Sequence, residues 1–113
     1  MVAKSMVWIK VCENRSLKDG DIIGYDYNDN KNRLMVAKLK DKIYATDGIC
    51  THQYADLSTG FLNEDEKTIT CPLHMSAFNL DTGIALNPPA QEPLKTFKVM
   101  TKEDGVYVLL EES

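Results

Sequence analysis

The chain has 113 residues, 43% of them hydrophobic and 27% charged, with a formal net charge of −4. That fits a single globular domain spanning 1–113, able to bury a core without disulfides and too short for a second catalytic domain. No apolar run approaches a signal-peptide core or the roughly 20 residues of a membrane span, so the expected location is the cytoplasm with no membrane partner. Three cysteines, an odd number, then point to metal or catalytic use rather than a disulfide framework.

In chain order, Val7-Trp8-Ile9-Lys10-Val11 alternates with an apolar face at 7, 9 and 11, the period of a half-buried strand. Trp8, far from the Cys/His boxes in sequence, is expected in core or base-domain packing. A second strand runs from Ile22 to Tyr27 after the turn Lys18-Asp19-Gly20-Asp21. Arg33 to Leu39 and Lys42 to Thr46 flank Lys40-Asp41, a hairpin-like break. Lys67 to Thr70 runs into Cys71. Ala77 to Leu80 meets the turn Asp81-Thr82-Gly83, followed by Ile84-Ala85-Leu86. Lys95 to Met100 and Val106 to Leu110 close the chain as a hairpin around Glu103-Asp104-Gly105. No ten-residue segment carries a helical stripe. Eight or nine short strands predict an all-β fold, an antiparallel β-sandwich or partly open barrel.

The chemistry concentrates in two loops between these strands. Cys50-Thr51-His52 and Cys71-Pro72-Leu73-His74 hold two of the three cysteines and both histidines, with eighteen residues between His52 and Cys71. Thiolate and imidazole are soft ligands, and four of them can close one metal site. A zinc finger groups its cysteines and histidines differently, which leaves a nonstandard Cys₂His₂ zinc site as one reading. A catalytic Cys–His pair is a second, although no orienting group stands nearby. Coincidence accounts poorly for two such pairs in a chain without any other histidine. The remaining reading is a [2Fe–2S] cluster in which two histidines replace two cysteines on one iron.

The boxes C-x-H and C-x-x-H resemble the paired boxes of the Rieske family. Tyr44-Ala45-Thr46, Leu57-Ser58-Thr59-Gly60-Phe61-Leu62, Phe78, Asp81-Thr82-Gly83 and Pro88-Pro89 are similar to the small Rieske ferredoxins of aromatic-ring dioxygenase systems. The interval between the boxes is slightly longer than these ferredoxins usually show, and the polar turn Asn63 to Lys67 is the natural place for an added residue. The resemblance implies a Rieske fold with a cluster-binding subdomain at about 47–87 inserted in a β base domain. It implies that Cys50 and Cys71 hold one iron of a single [2Fe–2S] cluster and His52 and His74 the other. A neutral cluster accepts an electron more readily than a four-cysteine one, hence potentials of about −150 to +300 mV against about −400 mV for plant-type ferredoxins.

Within that range several residues matter. The positions that carry disulfide cysteines in high-potential relatives are Ala55 and Leu73 here. Ser76 matches a serine that hydrogen-bonds the cluster, while Phe78 lacks the hydroxyl of the corresponding tyrosine. The lower part of the range is therefore expected. Cys12 reads as a small packed residue. Pro88-Pro89 is expected to cover the cluster, and Tyr54, Leu73 and Met75 to form an apolar rim. The implied function is a soluble one-electron carrier, not itself an enzyme, that takes electrons from a flavin-containing reductase and docks transiently with a terminal oxygenase at the His52/His74 tip. The alternative is a Rieske module serving another redox or sensing system. Charge is uneven: Asp47 to Asn87 holds six acids and one base. This acidic pole disfavours nucleic acid and suits a basic protein surface.

Overall fold

A computed structural model describes residues 5–28, 32–51, 55–73 and 75–111. His52, Tyr54 and His74 lie outside the described residues. Ten strands are present among the described residues: β1 (Met6–Cys12), β2 (Ile22–Tyr27), β3 (Asn32–Leu39), β4 (Lys42–Asp47), β5 (Phe61–Asn63), β6 (Thr68–Thr70), β7 (Ala77–Asn79), β8 (Thr96–Phe97), β9 (Val99–Lys102) and β10 (Gly105–Glu111). Two short 3₁₀ turns, Asn14–Ser16 and Leu57–Thr59, are the only helical pieces among the described residues.

The strands form three antiparallel sheets, ordered β1-β10-β9, β2-β3-β4-β8 and β5-β6-β7. The expected all-β antiparallel architecture is thus observed, with no closed barrel among the described residues. The second sheet is the middle layer, because alternate side chains of β3 serve two different cores. Leu34 and Val36 pack with Leu17, Ala45, Val108 and Leu110 on one face. Met35 and Leu39 pack with Leu57, Ile69, Phe78 and Leu80 on the other. A strand covered on both faces must be apolar throughout rather than alternating, and Leu34-Met35-Val36-Ala37 is. The β3–β4 hairpin closes through Lys40 and Asp41, both at positive φ (48° and 67°), as a two-residue turn matched to strand twist requires.

Four details differ from the sequence expectation. Trp8 is not core: it is 41% exposed, because in a strand that turns Val7, Ile9 and Val11 inward the even positions point out. Lys95 to Met100 is not one strand. The chain leaves the middle sheet after Phe97 and joins the first sheet at Val99, with the Lys98 carbonyl at the corner accepting the Leu109 N–H at 3.0 Å. Ile84-Ala85-Leu86 is not a full strand but extends the third sheet through a single Phe78–Ala85 bridge. The short strand β5 was not expected at all, since three residues carry no readable period.

Phe78, fully buried, joins the third sheet to the middle one. Phe78→Ala should cost about 3–5 kcal/mol of stability in denaturant unfolding. A loss within experimental error would mean that this ring does not hold the two layers together.

Candidate metal centre

Cys50 sits just beyond β4, in a loop with a tightly bonded neck. Gly48 N–H donates to the Arg33 carbonyl at 2.8 Å, and the Gly48 carbonyl accepts the Leu57 N–H at 2.8 Å. Ile49 and Asp56 then form an antiparallel bridge, and Cys50 N–H donates to the Ala55 carbonyl at 3.0 Å. Asp56 finishes the loop as an N-cap: its Oδ1 accepts the Ser58 N–H at 3.0 Å and the Ser58 hydroxyl at 2.7 Å. Burial pushes the Asp56 carboxyl up, but these bonds and the Arg33 guanidinium prevail and hold it below the usual carboxylate range.

Cys71 follows β6 directly. Its N–H donates to the Ser76 carbonyl at 2.8 Å and its carbonyl accepts the Met75 N–H at 3.1 Å, closing a tight loop with Met75 at φ 60°. Cys50 and Cys71 are buried in one shared core cluster, and neither is in a disulfide.

A third segment fastens across both loops. Thr51 Oγ1 donates to the Glu92 carbonyl at 2.7 Å, and Ser76 Oγ accepts the Ala90 N–H at 3.0 Å. Asn87 adds two ties, accepting the Ala77 N–H at 2.7 Å and donating to the Met75 carbonyl at 3.1 Å. Pro88 and Pro89, joined by a cis peptide bond, lie between Asn87 and Ala90. The segment expected to cover the site is therefore bonded to both cysteine loops.

Of the expected apolar rim, Leu73 is 52% and Met75 55% exposed, and Leu86 at 53% joins them. Cys12 is half-buried against the base core, and burial pushes its thiol up, in keeping with a packing role. Thr51, Asn87 and Arg33 were not singled out by sequence reasoning. Asn preceding Pro-Pro is a readable turn signal, but the partners of Thr51 and Arg33 are remote in the chain.

Two buried thiols, neither in a disulfide, on hydrogen-bonded loops suit a soft metal or an iron–sulfur group, whose ligand is the thiolate. Among the described residues no group of three or more Cys, His, Asp or Glu gathers around a metal-sized site, and both histidines lie outside those residues.

Known proteins resemble this chain. A model of the Rieske [2Fe–2S] domain matches residues 7–98. Ferredoxin CarAc of Metapseudomonas resinovorans is 38% identical over 104 residues, 92% of this chain and 94% of that protein. The 3-phenylpropionate/cinnamic acid dioxygenase ferredoxin subunit of Photorhabdus laumondii is 36% identical over 102 residues, covering 90% of this chain and 93% of its own. Among solved structures, a chain in the complex of reduced oxygenase and oxidized ferredoxin of carbazole 1,9a-dioxygenase superposes with a TM-score of 0.82 at 40% identity, covering 89% and 91%.

Two outcomes test the local geometry. Ser76→Ala strips the buried Ala90 N–H of its acceptor and should cost about 1–3 kcal/mol in unfolding experiments. Asp56 titrates lower folded than unfolded, where it is about 3.9. The stability it confers is complete above that value and is lost as pH falls through the folded value. The stability gap between the wild type and Asp56→Asn should therefore close on acidification.

Proposed function

The chain belongs to the Rieske [2Fe–2S] domain family, and from that premise we propose that it shuttles single electrons from a flavin-containing reductase to a terminal ring-hydroxylating oxygenase. It carries one Rieske-type [2Fe–2S] cluster, as its ferredoxin relatives do. When bound, that cluster supplies a one-electron centre, and the protein's part is to hold it, set its potential and control access. Like those relatives it is an electron-transfer component rather than an enzyme.

The ligand set in this reading is Cys50 and Cys71 on one iron, with His52 and His74 on the other. The observation that carries it is the pair of buried, unbridged cysteines in adjoining hydrogen-bonded loops under one shared cover. Residues at about 47–87 then act as the cluster-binding subdomain, supported by the third sheet and both cysteine loops falling within that span. Both partners dock at the His52/His74 tip in turn. Exposed Leu73, Met75 and Leu86 favour small, brief apolar contacts, and weak contacts suit electron-transfer encounters. The carbazole dioxygenase ferredoxin, a relative in fold and sequence, is found in complex with its oxygenase. Three unbridged cysteines support a reducing compartment such as the cytoplasm.

The potential belongs low in the Rieske range. Ser76 Oγ accepts from Ala90 and keeps its own hydrogen for donation, whereas the Phe78 ring, deep in the core, has no hydroxyl to give. No disulfide ties Ala55 to Leu73, since neither is a cysteine.

Electron paramagnetic resonance of the dithionite-reduced protein tests the assignment. A rhombic signal with the low average g of a mixed His/Cys cluster is expected, and zinc in place of iron would defeat it. His52→Cys or His74→Cys should lower the potential toward the range of about −400 mV typical of four-cysteine clusters. An unchanged spectrum and potential in either variant would remove that histidine from the ligand set.

A further inference from the structure

Arg33 reaches from β3 to the neck of the first cysteine loop. Its Nη1 donates to Asp26 Oδ1 on β2 at 2.8 Å, and its Nε lies 3.3 Å from Asp56 Oδ1. The Nε–H is shielded from water and not aligned for a directed bond, so the Asp56 contact is an electrostatic one. Two positions without side chains admit the arginine. A Cβ on Gly24 would lie 2.1 Å from Nη2, and one on Gly48 would lie 3.1 Å from Cγ. The Arg33 backbone grips the same neck through its carbonyl and the Gly48 N–H. Side chain and main chain of one residue therefore engage both strands of the neck, at Gly48 going in and Asp56 coming out. The Ile49–Asp56 bridge and the Cys50–Ala55 hydrogen bond stand directly on that neck.

The arrangement costs something that packing alone would not require. Glycine in a strand interior weakens it, and Gly24 is tolerated where the guanidinium crosses. Asp56 Oδ1 is already satisfied by two bonds from Ser58, so the arginine is not needed to satisfy that carboxylate. What the cation adds is a tie between the loop and the middle sheet, anchored on Asp26 at its other end.

We propose that Arg33 is a positioning residue of the metal centre: held by Asp26 and Asp56, it fixes the neck of the Cys50 loop against β3 and so sets how firmly the cluster is retained and in what geometry. This rests on the Rieske reading for its spectroscopic test but not for its structural one. Outer partners of metal ligands commonly carry 10–100-fold in metal retention. With the cluster loaded, Arg33→Met should lose iron to a chelator about 10-fold faster than wild type and show altered g values. Arg33→Lys, which keeps the charge but cannot span both carboxylates, should fall between. Val36→Ala, on the opposite face of β3, is the control: it should lower thermal stability while leaving g values and iron loss unchanged.

If Arg33→Met matches Val36→Ala in both iron loss and spectrum at equal thermal stability, the proposal is overturned. Should Arg33→Met fail to fold, Arg33→Lys and Asp56→Asn decide in its place by the same two readings. A wild type without a Rieske spectrum would sink the functional assignment instead. Amide hydrogen exchange of the cluster-free protein then decides the positioning role. Faster exchange at Cys50 and Leu57 in Arg33→Lys supports it, and unchanged exchange overturns it.

Discussion

The structure depends on one strand being buried on both faces. Leu34 and Val36 of β3 close the base core while Met35 and Leu39 close the core that contains Cys50 and Cys71. Fully burying residues of this size is worth about 1.5–3 kcal/mol apiece. The same backbone therefore commits two cores at once, and neither layer can shift without the other. A site mounted on such a strand inherits its rigidity.

That rigidity passes outward through hydrogen bonds rather than through further apolar packing. The loop containing Cys50 is closed by backbone bonds at Gly48, Ile49 and Ala55, and the loop containing Cys71 by backbone bonds at Ser76 and Met75. The segment around Pro88-Pro89 is then tied to both by Thr51, Ser76 and Asn87. Small loops have too little surface to hold themselves by burial, so donors and acceptors carry the order. An electron carrier gains from this, because a framework that does not move need not be rearranged when charge arrives. The exposed edge, by contrast, presents the apolar side chains of Leu73, Met75 and Leu86, as a surface for brief encounters needs.

Much of this was readable along the chain. β2 was placed to the residue because Ile22–Tyr27 is bounded by turn chemistry on either side, and the β3–β4 hairpin because Lys40-Asp41 breaks two largely apolar, strand-like runs. The cysteine boxes were plain from ligand type and spacing, and the family they suggested is the one to which the chain belongs. Trp8 was expected in core or base-domain packing, although the alternation around it already put it on the outer face. The break at Lys98 leaves no mark in an extended run, because both halves are strand and only the change of partner sheet distinguishes them.

What the sequence alone determined, then, was local: strand periods, turn residues, and which side chains could ligate a soft metal. Those follow from backbone sterics and ligand chemistry acting within a few residues. Only the tertiary structure decided that Arg33 meets Asp56, that Thr51 reaches the Glu92 carbonyl, and that Ser76 accepts from Ala90. Each of these pairs is separated by a loop or by whole strands. A hydrogen bond or ion pair needs its partners within a few ångströms, and spacing along the chain says nothing about that until the sheets have stacked.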